Sequence, residues 1–353
     1  MKLTSKIEPL ETRHTFRISH RGSKAFRNVH LQIEDDVFTG LGEAAPATYH
    51  GENADTVMGA LGTMEAELGD DPFQIQSIMD RVNHRITGNA AAKAALEMAL
   101  YDLVGKRLNA PLYRLLGLTK YQTPLTSFTI GIDDLDTIRE KVKLAHAYPV
   151  LKVKVGVDRD LQILQAVRDV TDKQLRIDAN GAWTAREAVE KIRSMMRFGI
   201  ELCEQPVAPG DIEALRFVRE RVDLPIFADE SARTAEDVPR LAGAVDGINV
   251  KLMKCGGIRE AIKMIHLARA FHMKVMIGCM IESSIAITAA AHLSPLVDYA
   301  DLDGHLLLAV DPFKGVKVDK GKLVLPEGPG LGVDRRPITL REISMTSGRK
   351  RQR

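Results

Sequence analysis

Cysteine is scarce in this 353-residue chain: there are three (Cys203, Cys255, Cys279), and no CxxC pair. An odd, widely spaced set excludes a disulfide framework and a zinc knuckle. An excess of one charge is also missing, since 49 Lys and Arg stand against 47 Asp and Glu, a net of +2. No strong overall field recruits nucleic acid or an anionic membrane. Apolar runs fall short of the roughly 18 residues that span a bilayer. The opening segment, MKLTSKIEPLETRH, has no apolar signal core, so a cytosolic protein is expected. What is present is an ordinary globular mixture, 45% hydrophobic and 27% charged, long enough for one large domain or two joined ones.

The first third reads as α+β. Strand-like runs at 3–9 and 26–34 are separated by the polar segment 17–24, and 37–46 (VFTGLGEAAP) reads as a third strand turned by its glycines. Ala92, Leu96, Ala99, Leu100 and Leu103 then recur at helical spacing, with Asn89 as the candidate N-cap. From about residue 124 short strands alternate with amphipathic helices. The strands fall at 124–131, 150–156, 174–180, 200–206, 224–230, 247–253, 273–280 and 299–304. Helices fall at 133–147, 158–171, 184–197, 211–220, 234–242, 257–271 and 284–293. Eight strands and seven helices predict an α/β protein, a (β/α)7β modified TIM barrel over 124–315. Residues 1–123 form its α+β capping domain, and 316–353 returns to that cap as a hairpin and a Gly/Pro-rich loop. The basic tip at 349–353 reads as a solvated terminus, because no aromatic or glycine interleaving accompanies it.

Active sites of such barrels form where the strands end, and here nearly every strand ends in a polar group. Asp178, Glu204 and Asp229 sit on consecutive strands, one βα unit apart, and so share one rim. Three converging carboxylates repel one another unless a cation joins them, and all-oxygen ligation favours Mg²⁺, with Mn²⁺ second, over zinc. Lys152 and Lys154 are two apart on one strand and face the barrel interior together, while Lys251 lies four strands away across it. Lysines beside a metal and other cations have lowered pKa values and can act as bases near neutral pH. Two amines facing each other can remove and return a proton on opposite faces of one carbon. Asp301 and Asp303 share a face, and with no protein cation nearby they suit an incoming ammonium group. Cys279 reads as a packed small residue, and His292 and His305 as structural histidines.

The segments KVK (152–154), DANGAW (178–183), EQP (204–206), ADES (229–232) and NVKLMKCGG (249–257) together resemble the enolase superfamily, in its muconate-lactonizing subgroup. Within it, Asp301-Leu-Asp303 preceded by Gly278-Cys-Met-Ile-Glu282 looks like the dipeptide epimerases. The resemblance implies Mg²⁺ on Asp178, Glu204 and Asp229, and Lys154 and Lys251 as the acid/base pair. Lys152 would lie against the bound substrate carboxylate, Asp301 and Asp303 would hold the ammonium group, and Thr129 with Cys279, Met280 and Ile281 would line the pocket. By position, Arg21 resembles the arginine that pairs with the glutamate side chain in Ala-Glu epimerases. The implied reaction inverts the α-carbon of the C-terminal residue of a dipeptide such as L-Ala-L/D-Glu, by two-base proton transfer through an enediolate. The alternative within the subgroup is N-succinylamino acid racemisation, o-succinylbenzoate synthesis or muconate cycloisomerisation, whose anionic groups Asp301 and Asp303 would repel. A dipeptide partner, no nucleic acid, no membrane and a homo-oligomer complete the expectation.

Overall fold

A computed structural model describes residues 1–337, so the basic tip at 349–353 lies outside the described residues. The cap opens with an antiparallel sheet of β1 (Lys2–Ile18), β2 (Arg21–Glu34) and β3 (Thr39–Ala44). The polar segment at 17–24 does not separate two short strands; it is the tip of one long hairpin, where Arg17 pairs with Gly22 and Ile18 with Arg21. That tip reaches past the core, so its two faces carry no apolar alternation to read. A register shift between Glu11 and Phe16 marks where the arm leaves the sheet body.

Behind the sheet lie α1 (Ala54–Met64), α2 (Ile75–Arg85), α3 (Ala90–Arg107) and the single turn α4 (Leu112–Leu115). The glycines of β3 serve contact with a helix rather than a turn. A Cβ on Gly40 would stand 2.0 Å from the Ala99 carbonyl oxygen, and one on Gly42 2.0 Å from that of Ala95, so α3 lies directly on the strand's backbone. Asn89 precedes α3 but adopts φ 54° and makes no side-chain cap. The Glu52 carboxylate caps the helix instead, accepting from Ala90 N at 2.6 Å and Ala91 N at 3.0 Å.

Eight parallel strands follow: β4 (Phe128–Ile130), β5 (Val150–Lys154), β6 (Gln174–Asp178), β7 (Ile200–Glu204), β8 (Ile226–Ala228), β9 (Gly247–Val250), β10 (Lys274–Gly278) and β11 (Tyr299–Asp301). They lie side by side in chain order, each parallel to its neighbour. The covering helices are α5 (Leu135–Leu144), α6 (Asp160–Arg168), α7 (Ala185–Met195), α8 (Ile212–Arg219), α9 (Asp237–Leu241), a one-turn α10 (Leu252–Cys255), α11 (Ile258–Ala270) and α12 (Ser284–Ala291). Local chemistry starts several of them. Asp134, Asp211 and Ser283 each cap with a side-chain oxygen, and Thr184 forms a capping box with Glu187.

The barrel closes along a short seam between β4 and β11. Ser127 N donates to the Ala300 carbonyl at 3.1 Å, and Thr126 bridges Ala300. Above that point side chains take over: the Ser127 hydroxyl donates to Asp301 Oδ1 at 2.6 Å, and Thr129 N to Asp303 Oδ2 at 2.6 Å. Cap and barrel are joined at Glu43 of β3, whose buried carboxylate accepts from Ser283 N, the Ser283 hydroxyl and Ala286 N at the start of α12. Beyond the barrel, the hairpin of β12 (Lys317–Asp319) and β13 (Lys322–Val324) meets residues 125 and 126 below the seam. The chain then passes α3, where Asp102 accepts from Leu331 N at 2.7 Å.

Candidate active site

The strand ends and the tip of the cap hairpin enclose a cavity of about 670 Å³. Lys152, Lys154, Lys251, Thr129, Cys279, Met280, Ile281, Asp301, Asp303 and Arg21 all line it. At its base, β6 and β7 set Asp178 opposite Glu204 in register, and Asp229 follows β8 directly. Each of these three places a carboxylate oxygen within 4.8 Å of the others, and all three are buried.

The lysines are threaded among these acids. Lys154 donates to Asp178 Oδ2 at 2.6 Å on the neighbouring strand, and on the other side of the barrel Lys251 donates to Asp229 Oδ2 at 2.6 Å, also from the end of the neighbouring strand. Lys251 sits one residue beyond β9, as the N-cap of α10, rather than within a strand. Lys152 stands between Asp178 (3.0 Å), Glu204 (2.7 Å) and Asp301 (2.7 Å). The expectation that Asp301 and Asp303 have no protein cation nearby is therefore corrected for Asp301. A lysine side chain on β5 is long enough to reach across the seam, a meeting that spacing along the chain does not show.

Burial and charge set the protonation states. Asp178 is pushed up by burial but held at about 2 by Lys152 and Lys154. Burial and the Asp178 charge raise Glu204 to about 8. Burial lowers Lys251, yet the Asp229 carboxylate more than offsets this and lifts it well above the ordinary lysine range. A lowered value was expected there; with the chain's own charges alone, the attached carboxylate wins. Asp303 rises to about 6 through burial and the charge of Asp301, whereas Lys152 and Ser127 hold Asp301 down against burial.

Three side chains around this site were not assigned a role from the sequence. Lys254, three residues after Lys251, is fully buried and bonded to Asp229. Its signal was the i, i+3 spacing, legible only once residues 252–255 are known to be a helical turn. Glu230 leaves Oε2 without a hydrogen-bond partner while Oε1 accepts from Asn180 at 3.1 Å. Tyr49 donates to Met280 Sδ at 3.4 Å, and the Arg21 guanidinium lies over its ring, 4.5 Å from the centroid. Arg21 has no ion-pair partner among the described residues, unlike Arg17 (with Asp133) and Arg27 (with Asp55). Cys279 donates to the Asp301 carbonyl at 3.3 Å, and burial pushes its thiol far from ionisation. His292 is bonded at both nitrogens, to Tyr113 N and the Leu331 carbonyl, whereas His305 leaves Nδ1 buried and unpartnered.

Two family profiles match this chain. One is the mandelate racemase / muconate lactonizing enzyme N-terminal domain over residues 3–117, and the other is the enolase C-terminal domain-like family over 136–337. The chain belongs to the enolase superfamily. An L-Ala-D/L-Glu epimerase from Bacteroides thetaiotaomicron is 45% identical over 335 residues, covering 94% of this chain and 88% of that protein. A dipeptide epimerase from Enterococcus faecalis, complexed with Mg and the dipeptide L-Leu-L-Tyr, superposes with a TM-score of 0.89 at 35% identity, over 94% of this chain and 99% of the other. The substrate-liganded L-Ala-D/L-Glu epimerase from Bacillus subtilis does so with 0.91 at 32% identity, over 96% and 99%. Within the superfamily this protein is an isomerase of the racemase and epimerase kind. No described helix is long and apolar enough to cross a membrane.

Proposed function

We propose that the protein is a Mg²⁺-dependent dipeptide epimerase that inverts the α-carbon of the substrate's C-terminal residue. The observation that carries this reading is the placing of Lys154 and Lys251 on opposite walls of one cavity, each bonded to a different member of the same carboxylate triad. The residues fit a hard divalent cation. All donors are carboxylate oxygens, and Glu204 Oε2 is buried without a hydrogen bond, though Lys152 stands near it. Asp178, Glu204 and Asp229 would hold the ion, which when bound supplies Lewis-acid stabilisation of charge on the substrate carboxylate.

The chain's own groups do the remainder. Lys152 sets an ammonium beside the carboxylate position and meets charge that spreads there as the α-proton leaves. One of Lys154 and Lys251 takes that proton, and the other delivers one to the opposite face of the enediolate. A cation held by the triad would weaken the pull of Asp229 on Lys251, the condition under which that amine serves as a base. Asp303, with Asp301 beside it, would hold the ammonium of the first residue. The same acidic wall disfavours N-succinylamino acids and muconate, which bring an anion there. At the mouth, Arg21 is a cation with no described ion-pair partner, placed to meet an acidic second side chain as in L-Ala-L-Glu. The test is a panel of L,L-dipeptides in D₂O, followed by mass and chiral analysis. Deuterium at the C-terminal α-carbon together with the L,D product supports the reading; neither appearing on any dipeptide rejects it.

A further inference from the structure

Lys254 is a second lysine on the same acid as Lys251, and it does not line the cavity. Its side chain is 0% exposed. The ammonium donates to Asp229 Oδ1 at 2.5 Å, to the Asp229 carbonyl, and to the Asn249 carbonyl at 2.8 Å. Lys251 takes the other oxygen, Oδ2, so the carboxylate is gripped by one lysine at each end. Asn249, held by Lys254 through its main chain, also donates its side-chain amide to Glu204 Oε1 at 2.9 Å. One buried ammonium thus ties the side chain and main chain of Asp229 to the end of β9, and through Asn249 to a second member of the triad. Burying an ammonium is unfavourable unless it is fully paired, so an apolar side chain of similar length would fill this space more easily if filling were its only task.

We propose that Lys254 is a positioning residue: it fixes the Asp229 carboxylate so that Oδ1 is committed and Oδ2 alone faces Lys251. Without it, Asp229 is free to turn and to take Lys251 on both oxygens, drawing that amine away from the cavity. Lys154 is bonded to Asp178 on the far wall and has no such dependence. The consequence is one-sided. Loss of Lys254 should damage the half-reaction served by Lys251 and spare the one served by Lys154. This inference rests on the two-base reading above, and the experiment separates the two.

Full-length wild type, Lys254→Met and Lys251→Ala are compared at saturating Mg²⁺ for α-deuterium uptake in D₂O, starting separately from L-Ala-L-Glu and from L-Ala-D-Glu, and separately for Mg²⁺ affinity by calorimetry. Lys254→Met should slow uptake about tenfold or more from the same epimer that Lys251→Ala silences, with little change from the other, and should weaken Mg²⁺ binding by about tenfold. Lys254→Arg, which keeps a charged donor, should recover part of both. Equal slowing from both epimers, or unchanged exchange and Mg²⁺ affinity, overturns the assignment. If Lys254→Met fails to fold by circular dichroism, Lys254→Gln is judged by the same criteria. If Lys251→Ala itself is not one-sided, the two-base reading falls, and Lys254 is then judged on Mg²⁺ affinity alone, where no loss rejects it.

Discussion

At the base of the cavity Lys152, Lys154 and Lys251 are buried and each touches a carboxylate within hydrogen-bond distance, whereas at its mouth Arg21 rests on a tyrosine ring and meets no carboxylate. Lys152 alone has three acidic neighbours, while the residues around Arg21 on the hairpin tip are largely exposed. Groups that must hold a reacting centre need their geometry fixed beforehand, because small displacements there cost rate steeply. A group that selects a side chain gains from waiting for its partner. The difference between base and mouth should therefore be visible as a difference in what mutation does.

The largest effect should come from the base. Chelation should bring epimerisation to background while circular dichroism stays unchanged, and Mg²⁺ or Mn²⁺ should restore it. Asp178→Asn, Glu204→Gln and Asp229→Asn should each cost several kcal/mol of transition-state stabilisation in kcat/KM. Full turnover by metal-free protein would end the reading. Next come the bases: Lys154→Ala or Lys251→Ala should reduce epimerisation by about 10²–10⁴-fold, with deuterium uptake surviving from one epimer only. Wild-type turnover in both variants would remove them from the mechanism.

At the mouth the effect should be smaller and confined to choice of substrate. Arg21→Ala should erase the preference for an acidic second residue by about 2–3 kcal/mol, while dipeptides with a neutral second residue keep their kcat. A wild-type preference for basic or apolar second residues would sharpen the comparison against Arg21 and leave the base intact. Between the two regions lies Asp303. Its pKa is raised to about 6, so the anion that would receive an ammonium is present above that pH and lost below it. KM should thus rise toward tenfold per unit as pH falls below about 6, and Asp303→Asn should flatten that limb. The smallest effect lies away from the cavity: Glu52→Ala removes the cap of α3 and should cost about 1 kcal/mol in denaturant unfolding, with kinetics unchanged.

The base was also the more legible region. Strand–helix alternation places Asp178, Glu204 and Asp229 on one rim, because a parallel barrel turns sequence order directly into spatial order. Contacts between distant side chains do not follow from such order. Asn89 has the right chemistry for a cap, but its left-handed backbone sends the task to Glu52, in an earlier loop. Lys152 crosses to Asp301, and Lys254 folds back on Asp229, only because of side-chain length and one helical turn. The hairpin at 17–24 is hidden because an arm reaching beyond the core lacks the apolar face by which strands announce themselves.

The β4–β11 seam has a consequence for how this protein can change over generations. Asp301 and Asp303 stitch the top of the barrel through Ser127 and Thr129, and the same two carboxylates form the wall proposed to receive the substrate's amine. A mutation that retunes that wall for a different first group also loosens the joint that closes the cylinder, so the innovation carries a folding defect with it. Arg21 and Tyr49 close nothing of the kind. New second-residue preferences can accumulate at the mouth one substitution at a time, whereas a new first-group chemistry requires a compensating change across the seam in the same lineage.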